Sequence, residues 1–173
     1  MAAIRAATAS DSAVLQQIEI DAGAQFATVG LADVAAHDPF SIAELDAYVA
    51  AGHSWVATDA GGVVVGYAVA AVVDRCGHLE QVSVLPEAQG TGIGRALVAR
   101  VEEWAREEGY PAVTLTTFVD VAWNAPLYAH LGYRVLRDDE LGPELRAVRD
   151  EETRHGLDPD RRVCMRRAVA AAV

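Results

Sequence analysis

The chain has little with which to build a covalent or metal-based framework. Only two cysteines, Cys76 and Cys164, occur among 173 residues, and neither belongs to a Cys-x-x-Cys pair. A disulfide framework and a zinc site of the ribbon kind are therefore excluded. Cys76 sits in a turn-like Asp74-Arg75-Cys76-Gly77, and Cys164 lies in an apolar run that reads as buried filler. The five histidines are scattered with no His-x-x-x-His, so no metal constellation is expected. Long apolar runs are missing too. The longest, around 62–73, is broken by Gly66 and ends in Asp74-Arg75, well short of the roughly 20 residues a membrane helix needs. No charged stretch followed by an apolar one opens the chain, so no secretory signal is expected and a cytoplasmic location is the default. Repeats, low-complexity linkers and composition breaks are also absent, and one domain over 1–173 is the expectation at this length.

Positive charge is in short supply. Fourteen Lys and Arg face 25 Asp and Glu, a net charge of −11. That argues against binding a nucleic-acid backbone, which needs a basic face. It leaves small anionic ligands open, because a few backbone N–H groups can hold them. The acidic balance serves solubility or steers cationic substrates. What the chain has in plenty is apolar residues, 52% of the total, enough for a real core and against global disorder.

Ile4 and Arg5 open a first strand. Thr8-Ala9-Ser10-Asp11 offers an N-cap for a helix with Val14, Leu15 and Ile18 as its apolar stripe. Residues 20–40 have weak periodicity and read as a loop or a short irregular helix. Ser41-Ile42-Ala43-Glu44 is a capping box ahead of Ile42, Leu45 and Val49 at helical spacing, with Gly52 closing that helix. Strands at 55–58, 63–73 and 78–85, separated by Asp59-Ala60-Gly61-Gly62 and Asp74–Gly77 turns, form an antiparallel meander. A glycine-rich segment and a long helix follow, then a strand at 112–118. A strand–helix–strand crossover places two strands in parallel in one sheet. A short helix at 125–131, a strand at 133–137 and a last strand at 163–169 complete the reading. The segment 138–162 is long for a loop. It predicts its own helix, with Pro143 in the first turn, Leu145 and Val148 as an apolar edge, Gly156 after the end, and Asp150 and Arg154 spaced as an i,i+4 pair.

The informative stretch is Pro86-Glu87-Ala88-Gln89-Gly90-Thr91-Gly92-Ile93-Gly94-Arg95-Ala96-Leu97. It follows a strand and opens a helix whose face is Ile93, Leu97, Val101 and Trp104, stopped by Gly109-Tyr110-Pro111. Alternate glycines let the backbone approach a ligand closely. The free N–H groups of the first turn, backed by the helix dipole, make an anion site suited to phosphate or pyrophosphate. A P-loop needs Gly-Lys-Ser/Thr at its end, whereas Gly94 is followed by Arg95-Ala96. The dinucleotide fingerprint needs a third glycine where Arg95 stands.

Gln89-Gly90-Thr91-Gly92-Ile93-Gly94 resembles the acetyl-CoA loop, Arg/Gln-x-x-Gly-x-Gly/Ala, of the GNAT N-acetyltransferases. Val82-Ser83-Val84-Leu85-Pro86 resembles the strand that precedes it. Leu127-Tyr128-Ala129-His130-Leu131-Gly132-Tyr133 resembles the Leu-Tyr-x-x-x-Gly-Phe/Tyr signature near that family's C-terminal end. The resemblance covers about 2–137 and the final strand, and leaves 138–162 outside as an insertion. It implies an α/β (α+β) fold: a mixed, mostly antiparallel central sheet with a splayed parallel strand pair, flanked by helices. It implies acetyl transfer from acetyl-CoA, as co-substrate and without a metal, to a primary amine by direct attack. Backbone groups of Val82 and Val84 would then meet the thioester and pantetheine. The pyrophosphate would lie on the amides of 89–95, including Gln89, Gly90, Thr91, Gly92, Gly94 and Arg95.

Such a reaction needs an amine freed of its proton, a polarised thioester and a proton for the leaving thiolate. Glu80, which shares a face with Val82 and Val84 on a strand of period two, is the candidate base, often working through a water in the family. Its structural alternative is an ion pair with an arginine. Tyr128 is the candidate acid toward the CoA sulfur, or else a core aromatic. Many family members carry Asn seven residues before this tyrosine, where Val121 stands. Asn124 either contacts the cofactor or caps a helix before Ala125-Pro126. Trp123 either lines the acceptor site or packs. His78 shares the face of Glu80 and either assists proton removal or sits at the surface, the reading favoured at a strand end. His130 carries no chemical signal.

The acceptor site is expected near 20–40 and near the insertion 138–162, where Glu19, Asp21, Asp33, Asp38, Asp139 and Glu140 would hold a cation or stand as solvated acidic loops. A small-molecule amine is the expected acceptor, with no nucleic-acid or membrane partner. A protein Nα- or Lys-acetyltransferase and a non-catalytic acyl-CoA sensor are the alternatives, and homodimerisation is common in the family.

Overall fold

The computed structural model describes residues 2–169. Seven strands form one mixed sheet in the order β1-β2-β3-β4-β5-β7-β6, the fold class expected from the sequence. They are β1 (Ala3–Ala6), β2 (Ser54–Thr58), β3 (Val64–Val73), β4 (Cys76–Val84), β5 (Ala112–Phe118), β6 (Arg134–Val135) and β7 (Arg162–Ala168). The helices are α1 (Ser12–Gly23), α2 (Ala32–Ala35), α3 (Ile42–Ala50), α4 (Ile93–Glu107), α5 (Ala125–His130) and α6 (Pro143–Arg154). Contacts divide the chain into two compact units. One holds the residues up to Ala70 with Gln81–Val101, the other Ala71–Glu80 with the residues from Glu102 on.

In the first unit, β1 pairs antiparallel with β2, and β2 with β3. The Asp59 carboxylate sets the hairpin turn by accepting from the amides of Gly61 at 2.8 Å and Val63 at 2.9 Å. Local capping shapes the helical part. Asp11 accepts from the Thr8 amide and binds Arg5 through both carboxylate oxygens; that guanidinium holds its carboxyl down to about 2. The Ser41 box closes as expected, with the Ser41 amide donating to Glu44 at 2.8 Å. Leu15, Ile18, Leu45, Val56, Tyr67 and Val69 form the core. The stripe of α1 runs through Leu15, Ile18 and Ala22, so Val14 faces outward, contrary to expectation. Residues 24–29 form a 3-10 segment and α2 follows, so the weakly periodic region is irregular helix.

In the second unit, β4 and β5 run parallel through Gly77↔Val113, His78↔Thr114 and Leu79↔Leu115. The antiparallel register of β5 on β7 runs from Ala112↔Ala168 to Phe118↔Arg162. The last strand thus enters between β5 and β6, and β6 keeps only two residues, pairing Arg134↔Arg166 and Val135↔Met165. The helix expected within 138–162 is α6, with Pro143 in its first turn. Asp74, in the β3–β4 turn, accepts from the amides of Glu144 at 3.0 Å and Leu145 at 2.9 Å, which satisfies the first turn of α6. Gly142 suits that place, because a Cβ there would run into the Asp74 carboxylate. Leu145, Val148 and Leu141 then bury against Val73, Leu136 and Cys164. Arg154 pairs with Glu151, the i,i+3 residue, and among the described residues no pair with Asp150 is found. Buried Glu102 accepts from Arg167 at 2.8 Å and from the Tyr133 hydroxyl at 3.0 Å.

Candidate active site

The glycine loop lies in the first unit. A 3-10 turn over Pro86–Ala88 leads into it. The Gln89 side-chain amide donates to the Val84 carbonyl at 3.0 Å and the Thr91 hydroxyl to the Ala88 carbonyl at 2.6 Å, which ties the loop to the end of β4. Gly90 and Gly92 have φ of 74° and 87°, left-handed values that a side chain disfavours. The first α4 bond runs from the Ala96 amide to the Gly92 carbonyl at 3.0 Å. Among the described residues no backbone acceptor is found for the amides between Gly90 and Arg95. They are the orphan donors that a helix start presents to an anion. Ile93, Leu97, Val101 and Trp104 are buried as the sequence predicts.

The parity of β4 differs from expectation. A Cβ on Gly77 would touch Trp104 and Ala105 of α4 at 3.1 Å, while Val84 is the nearest neighbour of Gly94 at the start of the same helix. An odd and an even position thus turn toward one helix, and the alternation changes phase along the strand. The expectation that Glu80, Val82 and Val84 share one face rests on unbroken alternation, which β4 does not keep between Gly77 and Val84.

Glu80, His78, Tyr128, Asn124 and Trp123 belong to the second unit. Glu80 is the first residue of β4 beyond the parallel ladder. Burial pushes its carboxyl up to about 7, and the Glu152 carboxylate adds to the effect. No ion pair to Glu80 is found among the described residues. His78 is 1% exposed, not at the surface as expected, because β5 and the α6 side cover it. Its Nδ1 lies 2.8 Å from the Thr114 hydroxyl, and burial pushes it down to about 4. At neutral pH it is therefore an uncharged imidazole.

Tyr128 is buried on α5, its ring edge-on to Tyr133 at 5.7 Å. Burial raises its hydroxyl proton affinity, and Arg162 works against that. Asn124 occupies the N-cap position of α5 but makes no side-chain cap; its Oδ1 accepts from the Thr117 hydroxyl at 2.6 Å. Val121 is buried, and Trp123 is half-buried.

Several acidic candidates are already engaged. Glu19 accepts from the Tyr67 hydroxyl at 2.8 Å and the Phe40 amide at 3.1 Å, and burial raises its carboxyl. Asp21 accepts from Gln17 at 2.9 Å. Asp139 pairs with Arg137 at 3.0 Å and Glu140 with Arg134 at 2.8 Å. Asp33 and Asp38 are exposed.

One neighbour of these candidates escaped the sequence reading. Glu152 of α6 accepts from Arg162 at 2.6 Å and from the Thr116 hydroxyl, beside Glu80 and His78 on the same side of the sheet. The spacing Leu145, Val148, Glu152 carries the signal, placing Glu152 on the buried edge of the helix. Among the described residues no group of three or more His, Cys, Asp or Glu could hold a metal ion, and no helix is long and apolar enough to cross a membrane.

The structure resembles that of N-acetylglutamate synthase from Neisseria gonorrhoeae, solved with coenzyme A and N-acetyl-glutamate (TM-score 0.71, 20% identity, 98% of this chain and 35% of that one). It also resembles the ribosomal-protein-S18-alanine N-acetyltransferase of Escherichia coli (TM-score 0.68, 19% identity, 100% and 97%). In sequence, a mycothiol acetyltransferase of Pseudarthrobacter chlorophenolicus is 37% identical over 84 residues, which span 45% of this chain and 26% of that protein. The chain thus matches about a quarter of that relative's length. The model of the acetyltransferase (GNAT) family matches residues 23–133, which include the glycine loop, Glu80 and the Leu127–Tyr133 signature. The chain belongs to the GNAT acetyltransferase family.

Proposed function

We propose that the protein transfers the acetyl group of acetyl-CoA to a primary amine of a small molecule. The observation that carries this reading is Glu80: an unpaired carboxyl at the end of a parallel ladder, pushed by burial up to about 7. A base of that strength accepts a proton near neutral pH and still exists as carboxylate. In this reading Glu80 takes the proton of the substrate ammonium, directly or through a water. The freed amine attacks the thioester carbon, the N–C bond forms and the C–S bond breaks. Tyr128 gives its proton to the departing thiolate. Neutral His78 stands beside Glu80 without adding a positive charge that would weaken the base.

The amides of Gly90 to Arg95 hold the pyrophosphate, and the backbone of Val82 and Val84 lies along the pantetheine arm. Because the Gln89 side chain donates to the Val84 carbonyl and its backbone amide to the Pro86 carbonyl, Gln89 shapes the loop and leaves the anion to the amides that follow it. Asn124 orients the start of α5 through Thr117. The whole chain acts as one acetyltransferase domain, with 138–162 bordering the acceptor.

The test is thiol release from acetyl-CoA with a panel of amines, amino acids and N-terminal peptides. Turnover on small amines supports the reading. Turnover on peptides alone replaces it with protein acetylation. Tight acetyl-CoA binding with no turnover on any acceptor replaces it with a sensor. Acetylation of lysine in a protein acceptor is easy to score here, because the chain contains no lysine to label itself.

A further inference from the structure

One residue of the segment 138–162 is held against the strands that carry the site. Glu152 of α6 accepts from Arg162 Nη2 at 2.6 Å and from the Thr116 hydroxyl. Arg162 also donates to the Thr116 hydroxyl at 2.8 Å, which closes a ring of three side chains. Arg149, one turn earlier on α6, approaches the second Glu152 oxygen at 3.7 Å. The place of this ring follows from the register. β4 and β5 are level through His78↔Thr114 and Leu79↔Leu115. One residue further along each strand stand Glu80 and Thr116. The Glu152 carboxylate is therefore bonded to the β5 residue that follows the last rung, Leu79↔Leu115, as Glu80 follows it on β4.

We propose that Glu152 is a positioning residue for the transfer reaction: fixed by Arg162 and Thr116, its carboxylate keeps Glu80 basic enough to take the acceptor's proton. The inference rests on Glu80 being the base. The charged group that acts on that carboxyl is Glu152; Arg149 on α6 and Arg162 on β7 pair with Glu152, and His78 stands two residues before Glu80 on β4. His78 is neutral, and Arg162 and Arg149 are bound to Glu152, so Glu152 is the group whose charge Glu80 feels most directly. A second carboxylate nearby raises the proton affinity of the first. Burial is the larger cause and Glu152 the smaller, so its removal weakens the base without abolishing it.

The test is a 13C NMR titration of the Glu80 carboxyl in the full chain, assigned with Glu80→Gln. In Glu152→Gln the midpoint falls by about half to one pH unit, a roughly three- to tenfold loss of proton affinity. In Arg162→Gln, which leaves Glu152 with the more distant Arg149 as its one cationic partner, it rises. Arg154→Gln, on the exposed side of α6, leaves it in place. A structural disturbance would move the first two variants the same way, and that result, or an unmoved midpoint in Glu152→Gln, overturns the proposal. Should Glu152→Gln not fold, Arg162→Gln decides: a rise supports the proposal, and an unmoved or lowered midpoint overturns it. With an acceptor in hand, the acid limb of kcat/KM follows the NMR midpoint. A midpoint that moves while the limb stays overturns Glu80 as base, and with it the role of Glu152 in transfer.

Discussion

Replacing Glu80 by glutamine changes stability and catalysis in opposite senses, and the size of the first effect follows from the structure. The carboxyl titrates near 4.5 when unfolded and near 7 when folded, chiefly because burial disfavours its charge. A group whose folded value is raised contributes stability that is complete below its unfolded value and is lost as pH climbs through the folded one. Wild type therefore gives up stability between pH 4.5 and 7. At about 1.4 kcal/mol per pH unit the ceiling is about 3 kcal/mol, and partial exposure of the strand end brings the expectation to about 1–3 kcal/mol. Glutamine keeps the shape and does not titrate. Glu80→Gln should thus gain on wild type by about 4–8 °C in Tm between pH 4.5 and pH 8, for a change near 2 kcal/mol in a domain of this size. Matched thermal melts at the two pH values read the difference, since all other groups titrate alike in both proteins. At pH 8 the same variant should lose about 10²- to 10⁴-fold in kcat, the usual worth of a positioned base, with acetyl-CoA affinity unchanged by calorimetry. A Tm difference independent of pH would refute the argument that burial holds this proton. Full turnover would refute the assignment of the base.

Three further outcomes are expected. Tyr128→Phe keeps the edge-on contact with Tyr133 and removes only the hydroxyl, so kcat falls while acetyl-CoA affinity and Tm hold; an unchanged kcat makes Tyr128 purely structural. Gly92→Ala, at φ 87°, costs about 1–2 kcal/mol of backbone strain and displaces the amides behind it, so calorimetry should show weaker acetyl-CoA binding with kcat at saturation largely retained. Glu102→Ala strands the Tyr133 hydroxyl and Arg167, which both bind that buried carboxylate, and should cost about 2–3 kcal/mol in urea unfolding; a loss under 1 kcal/mol would mean that water replaces the carboxylate.

Features set by neighbours in the chain were legible before the structure. Ser41 caps α3 because Glu44 stands three residues on. The glycine loop is readable because Gly90 and Gly92 adopt backbone angles other residues avoid, directly before a helix with a clear apolar face. Pro143 and Leu145 foretell α6. Errors cluster where distant segments decide. Val14 lies beside Leu15 in sequence, but helix phase turns it outward. His78 follows a turn, which suggests exposure, yet β5 and the α6 side bury it. The phase change along β4 between Gly77 and Val84 has no local signature.

The sequence by itself determined which segments become helix or strand, where the anion-binding loop lies and which family signature surrounds it. These follow from propensity, capping and glycine geometry, all acting within a few residues. Only the tertiary structure decided that β7 enters between β5 and β6, that Glu80 is half-buried with no cationic partner among the described residues, and that Glu152 comes to it from 72 residues away. The proton affinity of a carboxylate depends on the dielectric and charges within several ångströms, and those neighbours are chosen by folding, not by position along the chain.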